Sequence, residues 1–210
     1  MAIAALSNFT VPLASDQSAS TQGLLMPKLA YRFRVSLENF GTSGSTTELT
    51  KQVAEAGRPK VEFESQTIDV YNSKVYYAGK PKWSTITVKL RDDVTGAVSK
   101  LVGEQNQKQF DFFEQSSAAS AGDYKFTMRI EMLDGGNGAD TPNVLETWEC
   151  YGCFIQTTDW NAQALSYKEN GPAMISLIIQ MDNAVQKGAS AGLGVPGLVQ
   201  PRGTTNALGA

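Results

Sequence analysis

Two cysteines three residues apart, Cys150 and Cys153, come nearest to a reactive or metal-binding motif in this chain. A Cys-X-X-Cys pair occurs in redox sites and as half of a zinc site. Residues 144–156 have the pattern of a β-strand, in which positions three apart point to opposite faces and lie ~10 Å apart. That separation exceeds the ~7 Å limit for a disulfide, and the sequence has no second Cys pair and no histidine. We predict two unreactive packing cysteines.

Acidic residues form two further candidate sites. Residues 134–140 are rich in Asp, Gly and Asn, as in a calcium loop, but Leu145 stands where an EF-hand has its bidentate Glu. Glu62 and Glu64 share one face of a predicted strand, where two carboxylates can act in acid–base catalysis, line a solvated face or repel a polyanion. Because the chain has no histidine, it lacks the commonest general base and metal ligand. We predict no enzyme, no metal and no cofactor.

Aromatic residues cluster around residues 71–83, where Tyr71, Tyr76, Tyr77 and Trp83 are interleaved with lysines. Such a cluster can be core packing, a stacking surface for nucleic acid, or the centre of a protein interface. The chain carries 18 basic and 21 acidic residues, a formal charge of −3. This balance argues against a module that binds by neutralising phosphates, so an interface is the favoured interpretation.

Charge also divides the chain into a domain and two arms. Residues 1–27 carry only Asp16 as a charged side chain, and residues 185–210 carry only Lys187 and Arg202 among repeated Gly, Ala and Pro. We predict an N-terminal arm over 1–27, a β-domain over 28–184 and a C-terminal arm over 185–210. Both arms retain apolar residues, which suggests that they order against a neighbour. No apolar run approaches the ~18–20 residues that a membrane span needs.

The domain is predicted to be mainly β. Apolar and polar residues alternate over 31–37, 83–91, 124–132 and 175–181, the period of half-buried strands. Residues 48–56 are predicted as a short strand and about 61–78 as a long hairpin. The apolar positions of this hairpin change parity between Phe63 and Ile68, which implies a bulge or a change of partner. One helix should begin after Asp92 and Asp93 and continue through the phenylalanines at 110–113.

The predicted fold is therefore two packed antiparallel sheets, as a barrel or a sandwich, with one flanking α-helix, a long hairpin and extended terminal arms. This order of elements over about 28–184 resembles the tail tube proteins of contractile-tailed bacteriophages, and more distantly the inner-tube proteins of pyocins and type VI secretion. The segments that carry the resemblance are residues 29–37, 53–59, 83–93, 148–154, 171–172 and 180–183.

The resemblance implies a structural virion protein whose hexameric rings stack into the inner tail tube, assembled in the host cytoplasm, through which phage DNA enters the host cell. The partners it implies are other copies of the chain, the tail sheath, the baseplate and the tail terminator. The tape measure protein and DNA would pass through the lumen without specific binding, and the protein would not insert into a membrane.

Two sets of site residues follow from the resemblance. The hairpin corresponds to the loop that contacts the next ring, so inter-ring stacking is assigned to Tyr71, Asn72, Ser73, Lys74, Tyr76 and Tyr77. Polar faces of the hairpin and of the last two long strands are assigned to the lumen, namely Glu62, Glu64, Gln66, Thr147, Glu149, Ser176 and Gln180. Strand periodicity leaves open the alternative that this second set faces the sheath on the outside of the tube.

Two other functions remain as alternatives. The chain can be the inner tube of a phage-derived contractile particle of pyocin or secretion type, because the channel wall would look similar. It can also be a β-barrel that binds a ligand inside, although large inward side chains at Phe33, Phe126 and Trp148 favour a packed core.

Overall fold

Alternation of apolar and polar residues along the chain produces a structure dominated by strands. The computed structural model describes residues 27–42, 45–135, 142–162, 165–168, 170–188 and 192–194. Its strands are β1 (Phe33–Glu38), β2 (Val53–Ala56), β3 (Val61–Val70), β4 (Ser73–Trp83), β5 (Ile86–Arg91), β6 (Phe110–Asp111), β7 (Ser116–Ser117), β8 (Phe126–Leu133), β9 (Val144–Asp159), β10 (Met174–Gln180) and β11 (Asn183–Lys187). Its helices are α1 (Thr47–Gln52), α2 (Ala97–Gln109) and α3 (Ala121–Tyr124). The prediction of a mainly β, antiparallel fold is confirmed.

Seven strands form one antiparallel sheet in the order β1-β8-β9-β10-β5-β2, with β11 paired to β9. The long strand β9 joins two halves of this sheet. Its first part pairs with β8 and β11, and its last part pairs with β10. We call β1, β8, β11 and the start of β9 the first half, and β2, β5, β10 and the end of β9 the second half. Both halves direct their apolar faces into one core, which α1 and α2 also enter through Leu49, Val98 and Val102.

A bulge at Gly152 corrects the prediction for the two cysteines. Phe126 pairs with Cys153 and Met128 with Cys150, so β9 holds one more residue than β8 between these pairs. Gly152 has φ 64°, a conformation that glycine adopts readily. The extra residue returns the chain to the core, so both cysteines are fully buried rather than on opposite faces. They are free thiols, and burial raises the pKa of each to about 12.

The helices differ from the prediction in number and in extent. Residues 47–52, expected to belong to a strand, form α1, which buries Leu49 and carries the ion pair between Glu48 and Lys51. Helix α2 begins after Gly96, although the Asp93 carboxylate still accepts a hydrogen bond from the Val98 amide at 3.3 Å. It ends at Gln109, so the following phenylalanines lie outside it.

Residues near both ends of the domain contact the first half of the sheet. Lys28 pairs with the buried Glu146 carboxylate at 2.5 Å. Strand β11 runs to Lys187, three residues beyond the predicted end of the β-domain, and the Gln186 amide donates to the carbonyl of Leu193. The other residues of the two predicted arms, 1–26, 189–191 and 195–210, lie outside the described residues. Among the described helices, none has the length and apolar character to cross a membrane.

Candidate assembly surfaces

The hairpin β3–β4 projects from the second half of the sheet as a separate two-stranded ribbon. Its ten-residue strand β3 has a length of ~33 Å at ~3.3 Å per residue. The base is attached where the Ser84 amide donates to the Lys60 carbonyl and Gln180 Nε2 donates to the Trp83 carbonyl. Trp83 packs against the core. The prediction of a long hairpin anchored at its base is confirmed.

The parity change in β3 is accompanied by a bulge in its partner strand β4. Phe63 pairs with Pro81 and Ser65 with Ala78, so β4 contains one extra residue near Gly79 while β3 continues without interruption. A Cβ atom at Gly79 would come within 2.8 Å of the Glu64 carbonyl oxygen, so the close approach of the two strands at this position requires glycine. Since β3 alternates regularly, its apolar residues occupy one face at the base and the other face at the tip.

The outer part of the hairpin has an exposed apolar face. Ile68 pairs with Val75 and Gln66 with Tyr77 on this face, and Val70 lies beside them. Ile68, Val75 and Tyr77 each keep about half of their surface in solvent, at 53%, 52% and 53%. Burial of such side chains stabilises by ~25 cal/mol per Å², so this face gains from any apolar partner.

The predicted stacking residues all lie at the tip of the hairpin. Tyr71 occupies the turn with φ 38° and is fully exposed, with Asn72 beside it. Ser73 donates through its hydroxyl to the Val70 carbonyl at 3.4 Å. Lys74 pairs with Asp69 at 3.5 Å, Tyr76 faces away from the apolar side, and Tyr77 belongs to it.

The predicted lumen residues fall on three surfaces. Glu62, Glu64 and Gln66 share the face of β3 opposite to Val61, the half-buried residue at the hairpin base. Glu62 pairs with Lys60 at 2.5 Å. The hydrogen bond and the charge of Lys60 hold the pKa of the Glu62 carboxyl below its usual range. Glu64 is exposed, and the part of the chain that the structure describes shows no ion pair for it.

The second surface is the outer face of the first half of the sheet, with Thr147 and Glu149. Glu149 is only 7% exposed and pairs with Arg129 at 3.2 Å and Lys187 at 2.6 Å, while the Tyr151 hydroxyl also donates to it. Burial opposes ionisation of this carboxyl. Hydrogen bonds from Lys187 and Tyr151, with the charges of Lys187 and Arg129, nevertheless hold its pKa below the usual value. Glu149 therefore presents little free negative charge.

The third surface is the outer face of the second half, with Ser176 and Gln180. Both side chains are half-buried and alternate with the core residues Ile175, Leu177 and Ile179. Gln180 reaches the hairpin base through its hydrogen bond to the Trp83 carbonyl. This contact brings the Gln180 surface next to the hairpin surface. Thr147 and Glu149 do not belong to this combined surface, because they lie on the outer face of the first half of the sheet.

An aromatic groove is the feature that the sequence analysis missed. It has a volume of about 330 Å³ and runs along the end of β9, where Phe110, Phe112, Ile155 and Trp160 line it. Helical spacing from Val98 and Leu101 had assigned these phenylalanines to the helix. The Asp111 carboxylate instead accepts hydrogen bonds from the amides of Phe113 and Glu114, which closes a turn. An Asp in this position is the sequence signal for such a turn.

Within the described ranges, no group of three or more His, Cys, Asp or Glu residues could hold a metal ion. No buried side-chain nitrogen or oxygen in those ranges lacks a hydrogen-bond partner. The hairpin face and the aromatic groove, by contrast, expose several large apolar side chains to solvent.

Comparison with known proteins supports the same fold. The sequence matches no protein-family model and no curated protein sequence. By structure, the chain is similar to the tube-terminating cap of the anti-feeding prophage, with a TM-score of 0.58, 14% identity, and coverage of 82% of this chain and 99% of that chain. It is also similar to a chain of the sheath/tube terminator of an extracellular contractile injection system, PVC, with a TM-score of 0.55, 14% identity, and coverage of 79% and 100%. A chain of the PVC sheath-tube complex has a TM-score of 0.52, 17% identity, and coverage of 77% and 91%.

At these identities the likeness concerns the fold. The resemblance to tube proteins of contractile systems that the sequence indicated is confirmed at that level.

Proposed function

We propose that this chain is the structural subunit of the inner tube of a contractile particle, without catalytic activity of its own. Six copies would form a ring, and rings would stack into a hollow tube. The single observation that carries this proposal is the ~33 Å hairpin with an exposed apolar tip, on a fold similar to those of tube and cap proteins.

The hairpin needs a partner on physical grounds. A two-stranded ribbon is marginally stable by itself in water. Among the described strands, neither of its outer edges has a partner, and a bare edge of this kind invites pairing with another chain. The apolar tip adds a gain from burial that is obtained only on contact. A neighbouring copy in a stacked ring supplies both kinds of partner.

We assign the channel wall to the adjoining surface formed by Glu62, Glu64, Gln66, Ser176 and Gln180. The proximity of Gln180 to the hairpin base supports one continuous polar surface. With six copies in a ring, the unpaired Glu64 would give six carboxylates around the channel, which repel DNA phosphates and prevent binding. Thr147 and Glu149 would then face another side, such as the sheath.

The finer proposal is a phage tail tube that conducts DNA and leads the tape measure protein through its lumen. Its other partners would be the sheath, baseplate and terminator of the particle. Two of the similar structures are chains of a sheath/tube terminator and of a sheath-tube complex, which supports a place of this kind in a particle.

Electron microscopy of the purified protein tests the proposal. We expect rings or tubes from the wild-type chain. Deletion of residues 71–77 should leave a folded domain and rings but abolish elongation, because the tip makes no contact with the core. A β-turn replacement of the same segment controls for strain. Long tubes from the deletion variant would refute the stacking role of the hairpin.

A second candidate function is a cap that ends the tube. It is favoured by the TM-scores, since the cap and terminator chains score 0.58 and 0.55 and the sheath-tube chain scores 0.52. The same micrographs separate the two functions. A tube subunit elongates alone, whereas a cap forms single rings at any concentration.

A further inference from the structure

The aromatic groove lies along a strand edge that has no strand partner. Among the described residues, β8 pairs with β9 only as far as Cys153, and the end of β9 pairs with β10 on its other side. The free edge at Ile155 is covered by one side chain. Gln109 Oε1 accepts from the Ile155 amide and Gln109 Nε2 donates to the Ile155 carbonyl, both at 2.9 Å. The groove continues from there past Thr158 to Trp160, a length of ~17 Å.

Three of the four polar side chains that line the groove are already engaged within the domain, and the fourth, Gln156, is exposed. Asn106 and Thr158 hydrogen bond to each other at 3.0 Å and 3.1 Å, and Gln109 is held by Ile155. The groove also exposes aromatic surface, with Phe112 at 65% and Trp160 at 49%. This combination suits an extended apolar segment that covers the rings and follows a strand edge, rather than a small polar ligand.

The hairpin of another copy has the matching properties. Its tip carries Ile68, Val70 and Val75 in solvent, and neither of its edges has a strand partner among the described residues. It is a second exposed apolar face among the described strands. Each surface thus offers the other an apolar cover and a strand edge.

The hairpin base and the Trp160 end of the groove lie at opposite ends of the second half of the sheet. The hairpin leaves the second half of the sheet where Ile86 pairs with Ile179. At the far end of that half, Arg91 pairs with Met174 and Asp159 with Ser176, and Trp160 follows Asp159. A copy placed above another therefore presents the Trp160 end of its groove to the hairpin tip below. Contacts between different surfaces of identical chains repeat head to tail.

We propose that the hairpin tip of one copy docks into the groove formed by Phe110, Phe112 and Trp160 of the copy in the next ring. This inference rests on the proposed stacking function and names the surface that receives the hairpin. Its occupant is a second copy of this chain.

Cysteine cross-linking tests the docking in assembled protein. The pair Asn72→Cys with Gln156→Cys places one thiol in the tip turn and one in the groove, at exposed polar positions that leave the apolar contacts intact. The native thiols are fully buried, so they do not compete. A short bis-maleimide should convert tubes of this double variant into a ladder of covalent dimers, trimers and longer chains. Each single variant, and the matched pair Asn72→Cys with Lys51→Cys on α1, should stay monomeric.

Each outcome of these experiments either supports or overturns the docking of the hairpin tip into the groove. Tubes without a ladder, or an equal ladder from the Lys51 control pair, overturn the docking and leave the proposed function standing. Dimers from Asn72→Cys alone indicate tip-to-tip contact and overturn it too. Phe112→Lys should reduce tubes to rings while the domain keeps its melting temperature. Tubes of normal length from Phe112→Lys would mean that another segment, such as a terminal arm, occupies the groove. Absence of rings and tubes from the wild type overturns both proposals.

Discussion

Replacing Glu149 with Gln should destabilise the domain, because this carboxylate holds together the outer face of the first half of the sheet. It is 7% exposed and pairs with Arg129, Lys187 and Tyr151. Glutamine keeps the size of the side chain and removes the charge. Arg129 and Lys187 then lose their common partner, although Arg129 keeps Glu38 at 3.1 Å.

The magnitude follows from the exposure of the two cations. Loss of one partner from a fully buried ion pair costs ~3–5 kcal/mol. Here the side chains of Arg129 and Lys187 are 34% and 56% exposed, so water can solvate them after the change. We therefore expect a loss of ~2 kcal/mol in the free energy of unfolding. For a chain of this size the melting temperature should fall by ~4–8 °C.

The pH dependence gives an independent check. The pKa of the Glu149 carboxyl in the folded state lies below its ordinary value of 4.5. Its contribution is therefore fully present above the unfolded pKa and is lost as the pH falls through the folded pKa. The difference in melting temperature between wild type and Glu149→Gln should be largest near pH 7 and should shrink on acidification below 4.5.

Thermal unfolding of the dispersed subunit, followed by circular dichroism, measures both effects. Glu48→Gln serves as the control, because it removes one partner of an exposed ion pair on α1 and should change stability by less than ~0.5 kcal/mol. Equal melting temperatures for wild type and Glu149→Gln at pH 7 would refute this account of the network. A difference that grows on acidification would refute the sign of the pKa shift.

Three further predictions use other parts of the domain. Gly152→Ala should lower stability by ~1–3 kcal/mol, because φ is 64° and a Cβ would overlap the Asp182 carboxylate; the melting temperature measures it, and Gly103→Ala on open helix surface is the control. Cys150 and Cys153 should resist a thiol reagent at pH 8 in the folded protein and react after denaturation, since burial raises each pKa to about 12; rapid labelling of the native protein would contradict their burial. Glu62→Lys with Glu64→Lys should leave tube formation intact but make the tubes retain DNA at low salt; tubes that remain free of DNA would argue against the assigned channel wall.

Period-2 alternation predicted the sheet because its strands have one buried and one open face. It located β1, β5, β8 and β10 and their core residues, and the composition of 61–83 located the hairpin. It could not locate α1, whose six residues are held by burial of Leu49 more than by helical pattern. It also missed the bulge at Gly152, since one inserted residue changes which face each later side chain takes.

The assembly surfaces were predictable to different degrees. The hairpin tip follows from local sequence, because Tyr71 and its neighbours lie in one turn. The lumen set required knowledge of which half of the sheet each strand joins, and alternation carries no such information. Thr147 and Ser176 both lie on an outer face, but Thr147 lies on the first half of the sheet and Ser176 on the second. The groove arises from the meeting of Phe110 with Trp160, fifty residues later, which only the folded chain reveals.

A hairpin tip and a groove on one chain create an assembly without an intrinsic length, since every added ring offers a new free surface. The variant that lacks residues 71–77 keeps the groove and loses the tip, so it should bind a growing end and offer nothing to the next ring. We therefore expect small amounts of this variant, mixed with wild type before assembly, to shorten the tubes in proportion to its fraction. Phe112→Lys combined with the deletion is the control, because it lacks both surfaces and should leave tube length unchanged. Electron microscopy measures the length distribution, and unaltered lengths with the deletion variant would contradict head-to-tail growth through these two surfaces.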